Sequence, residues 1–249
     1  LCYAHRMGSR ITVDKVHDVL KNADIQEMKQ VWSSNYVFLV TLENDNGNDL
    51  NAIYKPQAGE TPLWDFPQGT LYRREVAAYE LSLLLGWEFV PPTVIRNGPE
   101  GIGSVQLFIP HDQSSHFFEQ REQKSLITQL KQICVFDALS NNADRKGGHC
   151  LLDDQQQIWG IDHGLCFHSQ NKLRTVIWDW ANELIPDNLL VDIRKAHQAI
   201  SDNTKDSRLL CEMLDETEIE ALLNRAETLL AQGRYPFPSL DRPYPWPLI

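Results

Sequence analysis

The sequence predicts an α+β fold of two lobes, a small N-terminal lobe of antiparallel strands with one helix and a mainly helical C-terminal lobe. Three observations lead to this expectation. Short strand-like runs alternate with turn-rich segments up to about residue 108, one long helical run interrupts them, and apolar residues recur at helical spacing beyond residue 110. We therefore divide the chain into residues 1–109 and 110–249, which together form one domain.

The N-terminal lobe is expected to contain a strand pair followed by a helix. Residues 37–42 and 50–55 are mainly apolar or β-branched, and residues 44–49 between them are all Asn, Asp or Gly, which favour turns. Residues 71–85 are rich in helix formers, and Gly86 is typical of the position that ends a helix.

Further strands and helices are expected along the rest of the chain. A second strand pair is predicted at residues 94–96 and 104–109, separated by a Gly-rich turn. Residues 124–139 carry apolar side chains at helical spacing, and two short strands follow at residues 151–152 and 157–161. The last two predicted helices are residues 187–200 and 216–232.

Two acidic loops flank the short strand pair of the C-terminal lobe. Asp144 lies in the loop of residues 141–149, and Asp162 follows the second strand. Phosphoryl transfer needs in-line positioning and neutralisation of phosphate charge, so one carboxylate that orients a hydroxyl and one that holds a metal ion would suit it. Asn, Asp and Gly also cluster in ordinary turns for backbone reasons, and each loop alone is open to that interpretation.

A lysine and a glutamate of the N-terminal lobe precede these loops. Lys55 ends a predicted strand and Glu75 lies near the start of the next helix, an order typical of the phosphate-binding lobe of kinase-like folds. Taken alone, the two residues would better suit a solvated surface with a favourable helix dipole, and only their order before the two acidic loops favours the phosphate-binding interpretation. Ser33, Ser34 and Asn35 stand where a phosphate-covering loop would lie, although neither GxGxxG nor a Walker motif is present. An ordinary capped turn is the alternative there.

The order of these segments resembles the phosphatidylinositol 3-/4-kinase-like superfamily. The pattern is nearest to type II phosphatidylinositol 4-kinases and closer still to a bacterial, largely uncharacterised branch. The resemblance extends from about Val31 to the end of the chain. It rests on residues 54–56, 103–109, 142–149, 161–165 and 174–178 and on the Pro/Trp-rich C-terminal end. It implies a bilobal protein-kinase-like fold and a kinase.

The resemblance implies roles for the residues of the N-terminal lobe. According to the resemblance, Lys55 contacts the α- and β-phosphates of ATP, and Glu75 orients that lysine. Gln106, Phe108 and Ile109 belong to the hinge whose backbone reads the adenine.

In the C-terminal lobe, the resemblance makes Asp144 the catalytic residue and Asp162 the metal-binding one. His149 stands five residues after Asp144, where phosphoinositide kinases usually carry a metal-binding Asn. Imidazole is a softer ligand than the oxygen donors that Mg²⁺ prefers. Asp162 and His149 are therefore the candidate metal ligands. Alternatively, His149 lies outside the ligands of the ion or contacts phosphate, and the metal is held mainly by Asp162. The metal is expected to be Mg²⁺, with Mn²⁺ as the alternative.

Composition limits the partners and the compartment. The formal charge of −11, without a basic patch, argues against nucleic acids and anionic membranes as partners. The sequence contains no run of eighteen apolar residues, so no transmembrane helix is predicted. Five cysteines without CxxC spacing indicate reduced thiols and a cytoplasmic protein. The chain also lacks the Cys-rich palmitoylated segment of type II phosphatidylinositol 4-kinases, so a lipid substrate is less expected.

The expected function is ATP- and Mg²⁺-dependent transfer of the γ-phosphate to a hydroxyl of an unidentified soluble protein or small molecule. Two alternatives stay open: a nucleotide-binding pseudokinase that serves as a partner-binding module, and an AMP transferase.

Two further features leave their roles open in the sequence. Asp137, near the end of a predicted helix, is either an exposed acid or, as the resemblance implies, an acceptor of backbone hydrogen bonds that holds the catalytic loop. The Pro-rich C-terminal tail is expected to be extended. It is a ligand for a Pro-binding module or, preferably, lies on the large lobe through Tyr244 and Trp246.

Overall fold

A computed structural model of the protein describes residues 12–31, 35–43 and 49–249. They fall into two compact units. The first comprises Leu1–Val76 and Pro91–Phe108, as far as these are described, and the second comprises Ala77–Val90 and Ile109–Ile249. Helix α2 (Leu71–Leu85) contributes its beginning to the first unit and the remainder to the second.

The first unit is built on a five-stranded antiparallel sheet. In sheet order its strands are β1 (Ile25–Val31), β2 (Val37–Leu42), β3 (Leu50–Pro56), β5 (Gly101–Leu107) and β4 (Thr93–Gly98). Helix α1 (Val13–Asn22) begins after Thr12, whose side chain accepts a hydrogen bond from the backbone amide of Lys15. The buried residues of α1 pack in one cluster with Val40, Leu42, Leu50, Ala52, Tyr54, Val94 and Val105 of the sheet.

The alternation of side chains along β3 decides where Lys55 lies. Leu50, Ala52 and Tyr54 are buried in the cluster with α1, and successive side chains of a strand point to opposite faces. Lys55 therefore lies on the other face of the sheet. It is paired with Ser104 of β5, while Gln106 of the same strand is paired with Ile53.

The second unit is mainly helical and contains one two-stranded hairpin. Its elements, besides the end of α2, are α3 (Phe117–Gln120), α4 (Ile127–Ser140), β6 (Cys150–Leu152), β7 (Ile158–Gly160), α5 (Asp187–Ser201), α6 (Arg208–Met213) and α7 (Glu216–Gln232). Every residue of α4 from Ile133 to Ser140 is buried, because the helix is surrounded by the apolar core of the unit. The second half of this helix therefore has no exposed face on which to place the one acidic residue of α4, Asp137.

These elements confirm the α+β class that the sequence predicts, with a strand-rich unit and a mainly helical one. The helices expected at residues 71–85 and 216–232 have those bounds, and the expected strand pairs are present with ends that coincide or are shifted by up to three residues. Among the residues that the structure describes, no helix combines the length and the apolar character that crossing a membrane requires.

Candidate active site

The loop that carries Asp144 begins where α4 ends. Asn141 adopts a left-handed conformation, with φ of 55°, and its backbone amide donates to the carbonyl of Asp137. Its side-chain amide donates to the carbonyls of His168 and Gln170 and accepts from the Lys172 amide, at 2.8, 2.7 and 2.8 Å. The chain direction at the end of α4 is therefore fixed by three side-chain hydrogen bonds as well as by the helix itself.

A fully buried ion pair holds the next residues of the loop. The side chains of Arg145 and Asp137 have no exposed area, and Nε and Nη2 of Arg145 both lie 3.0 Å from a carboxylate oxygen of Asp137. Asn142 Nδ2 donates to the same carboxylate at 3.0 Å. Asp137 is therefore not the exposed acid that one interpretation of the sequence expects. It does hold the catalytic loop, as the other interpretation expects, but its carboxylate accepts from the side chains of Asn142 and Arg145 and not from backbone amides. Buried charges need such complete pairing because desolvating an ion costs several kcal/mol.

Arg145 also connects this loop to the one that carries Asp162. Its Nη1 donates to the carbonyl of Ile161 at 2.9 Å, and its Nη2 lies 2.7 Å from Nε2 of His163. These contacts bracket Asp162 on both sides. Burial lowers the pKa of Arg145, but the charge of Asp137 outweighs it and leaves that pKa above its ordinary value, so the guanidinium stays charged.

Asp144 is a partly buried carboxylate beside a lysine. Its backbone amide donates to Asn142 Oδ1 at 3.0 Å, and its Oδ2 lies 3.0 Å from Nζ of Lys146. Burial raises the pKa of Asp144, and the negative charge of Asp162 raises it further, although Lys146 and Arg145 act in the opposite direction. A carboxylate with a raised pKa is better matched to accept a proton from a hydroxyl than one at its ordinary value.

Asp162 is more exposed and lies against His149. Its φ of 61° is a left-handed conformation that costs energy for a residue with a Cβ, although Asp tolerates it better than most. Nε2 of His149 lies 3.3 Å from its Oδ2. Nδ1 of His149 accepts a hydrogen bond from the Lys146 amide at 3.4 Å, which assigns the proton of a neutral ring to Nε2. In this arrangement the protonated Nε2 of His149 lies next to the carboxylate of Asp162.

The donor set fits Mg²⁺ better than a softer ion. Among the described residues there is no group of three or more His, Cys, Asp or Glu side chains suited to a metal ion. Mg²⁺ is commonly bound through one or two carboxylates, with substrate phosphates and waters as the other ligands. Asp162, with a side chain 48% exposed, can serve as such a ligand while His149 orients it.

The first unit contains the lysine and glutamate that the sequence singles out. Nζ of Lys55 lies 2.5 Å from Oε1 of Glu75, and that glutamate is 3% exposed while the lysine is 24% exposed. The structure thus brings these two residues together as an ion pair between β3 and α2.

The other predicted nucleotide-binding residues are held by local contacts. The side chain of Gln106 donates to Oγ1 of Thr93 at 2.8 Å within the sheet, so only its backbone suits adenine binding. The Phe108 amide donates to the carbonyl of Asn51 at 3.0 Å, and Ile109, in the second unit, is buried. Asn35 Oδ1 accepts from the Thr61 amide at 2.8 Å. Ser33 and Ser34 lie outside the described residues.

Two contributors to the site are not apparent from the sequence motifs. None of them assigns a role to Lys146, and the only signal for its role is its position two residues after Asp144, in the same loop. Asp137 and Arg145 are eight positions apart and are separated by the end of α4. No sequence motif predicts the turn that brings them together.

Comparison with known proteins identifies relatives of this arrangement. The family model described as "Phosphatidylinositol 3- and 4-kinase" matches residues 94–230, more than half of the chain. Protein Rv2133c of Mycobacterium tuberculosis is 38% identical, over 94% of this chain and 95% of that protein. Phosphatidylinositol 4-kinase gamma 4 of Arabidopsis thaliana is 27% identical, over 55% of this chain and 31% of its own length.

A solved structure shows the same fold at low identity. The Golgi casein kinase, including its structure with Mn and ADP bound, has a TM-score of 0.51 and 16% identity, over 88% of this chain and 75% of that one. At this identity, the likeness shows the fold alone.

Proposed function

Because this chain belongs to the phosphatidylinositol 3- and 4-kinase family and is a kinase-type phosphotransferase, we propose that it transfers the γ-phosphate of ATP, with Mg²⁺, to a hydroxyl group. One observation carries this proposal. The buried Arg145, which directly follows Asp144, contacts the Ile161 carbonyl and His163 on either side of Asp162, so one guanidinium holds the loops of both carboxylates. Two neighbouring carboxylates in different environments suit different roles.

Asp144 is proposed to orient the acceptor hydroxyl and to take its proton. Its partial burial and raised pKa favour this role over metal binding. Lys146, whose ammonium group is 3.0 Å from Asp144, would place a positive charge where the transferred phosphoryl group carries negative charge. We expect Asp144 and Lys146 to act on the acceptor side of the reaction.

Asp162 is proposed to hold Mg²⁺, with His149 as the group that orients its carboxylate. The bound ion would neutralise phosphate charge. Lys55, kept in place by the buried Glu75, would contact the nucleotide phosphates, and the backbone of residues 106–109 would bind the adenine. The similar fold of the Golgi casein kinase, which has been solved with Mn and ADP, supports a nucleotide and a divalent ion here.

The acceptor is proposed to be a protein or a small molecule rather than a membrane lipid. A chain of formal charge −11 is repelled by anionic lipid surfaces unless a basic patch overcomes the repulsion. We also propose that the protein works in the cytoplasm, where its thiols stay reduced: Cys134 and Cys150 are free and buried.

The type of transfer can be tested with ATP labelled in two positions. The purified protein, incubated with Mg²⁺ and a panel of protein and small-molecule acceptors, is expected to transfer label from the γ-phosphate and none from the α-phosphate. Transfer of α-label would show AMP transfer instead. Stabilisation by ATP in a thermal-shift assay without any transfer would favour a pseudokinase, the alternative that His149 in the usual place of Asn suggests.

A further inference from the structure

The C-terminal tail contacts the segment that follows the Asp162 loop. The carbonyl of Pro243 accepts two hydrogen bonds, from the backbone amide of Thr175 and from Nε1 of Trp178, each at 3.1 Å. Thr175 in turn lies beside Arg145, since the two residues form a parallel β-bridge. The tail is therefore hydrogen-bonded to the segment that pairs with the catalytic loop through Thr175.

The same tail reaches the catalytic loop itself five residues later. The carbonyl of Leu248 accepts a hydrogen bond from the backbone amide of Gly147 at 2.7 Å. A Cβ added to Gly147 would lie 3.4 Å from that carbonyl oxygen, and one added to Gly148 would lie 3.9 Å from Cγ2 of Ile249. Both glycines of the loop thus face the end of the tail.

The amide of Gly147 is placed to affect the proposed chemistry. Gly147 begins a 3₁₀ turn that ends at His149, the residue 3.3 Å from Asp162. Lys146, immediately before the turn, contacts Asp144 through its side chain and His149 through its backbone amide. A bond that fixes the start of this turn therefore orients groups on both sides of it.

We propose that residues 243–249, the C-terminal strap, position the catalytic loop, with the carbonyl of Leu248 fixing the turn that presents His149 to Asp162. The contact is made by the main chain: the side chains of Trp246, Leu248 and Ile249 are 88%, 40% and 59% exposed. Leu248 is a positioning residue and touches no substrate. The effect on rate rests on the proposed function, whereas the effect on the loop does not.

A proline at position 147 tests the hydrogen bond directly. Proline removes the donor, and it is tolerated at the first position of a helical turn. Lys146 has φ −89° and ψ 162°, the extended conformation that a residue before proline adopts. Gly147→Ala is the matched control, because it adds a Cβ at the same place, 3.2 Å from the ring of Phe118, and keeps the amide. We expect kcat of Gly147→Pro to be about tenfold below that of Gly147→Ala, with KM for ATP unchanged.

Removal of the acceptor should reproduce this loss. A chain shortened after Pro247 lacks Leu248 and Ile249, and we expect the same reduction of kcat. Combining the truncation with Gly147→Pro should reduce kcat no further, because both changes remove the same hydrogen bond, from the Gly147 amide to the Leu248 carbonyl. Leu240→Ser, a change at a fully exposed residue before the strap, is the control and should leave kcat unchanged. Equal kcat in the proline and alanine variants, or additive losses in the combined variant, would overturn the proposal.

Hydrogen exchange separates the strap from the enzymatic activity. The backbone amides of residues 147–149 should exchange faster in the shortened chain than in the unmodified protein, and those of α7 should not change. Unchanged exchange at residues 147–149 would overturn the proposed role of the C-terminal strap even if kcat fell. Faster exchange in a protein that transfers no phosphate would support the role of the strap and refute the proposed function.

Discussion

At the scale of single residues, the site depends on charges that are buried only because they are paired. Arg145 and Asp137 have no exposed side-chain area, and together they set the positions of the residues around Asp144 and Asp162. In contrast, Lys131 and Glu183 form an ion pair whose glutamate is 52% exposed. Pairing of the first kind is costly to break, while pairing of the second kind contributes little.

The substitution Asp137→Asn is therefore expected to be strongly destabilising. It leaves the guanidinium of Arg145 buried without a counter-charge, which should lower the free energy of unfolding by about 3–5 kcal/mol. Glu183→Gln, the control, should change it by less than about 1 kcal/mol. Urea unfolding followed by circular dichroism measures both. Similar small effects of the two substitutions would contradict the burial of the Arg145 pair.

Asn141 provides a second test at this scale. A left-handed residue at a helix end is most often Gly, so conformation alone predicts that Asn141→Gly is harmless. The three hydrogen bonds of its side chain predict a loss of about 2 kcal/mol instead. Asn203, also left-handed but exposed, is the matched control, and Asn203→Gly should be nearly neutral. Equal effects of the two glycine substitutions would show that the hydrogen bonds contribute nothing.

At the scale of elements, β3 and α2 bring together the ion pair of Lys55 and Glu75. The alternation of β3 puts Lys55 on the face of the sheet away from α1, and the start of α2 supplies Glu75, which is almost fully buried. The sequence predicted both elements because apolar runs and a terminal Gly mark them clearly. It missed α1 and β1. Both faces of β1 are largely exposed, so its sequence lacks the alternation of apolar and polar residues that identifies a half-buried strand.

Lys55→Met is expected to abolish stabilisation by Mg²⁺ and ATP in a thermal-shift experiment. The substitution keeps the length of the side chain and removes the charge proposed to contact the phosphates. Lys29→Met, on the exposed strand β1 of the same sheet, is the control and should keep the ATP-dependent shift of the unmodified protein. A full shift in the Lys55 variant would contradict the role of this lysine.

At the scale of the whole molecule, the sequence singles out the residues proposed for the chemistry but not the contacts that hold them. Asp144, Asp162 and His149 stand out because they lie in short loops next to strands with a clear apolar pattern. The supporting contacts do not, since the Leu248 carbonyl acts through the backbone and leaves no side-chain pattern. The tail lies on the helical unit, as preferred from the sequence, but Trp246 is exposed and backbone carbonyls make the contacts.

The most direct test of the central claim is transfer of the γ-phosphate by variants of the two acidic loops. Asp144→Asn and Asp162→Asn should each reduce kcat by at least about a hundredfold, because one removes the proposed base and the other the proposed metal ligand. Asp154→Asn, in the exposed turn between β6 and β7, should retain the rate of the unmodified protein. Phosphate transfer that survives in both the Asp144 and Asp162 variants would contradict the account.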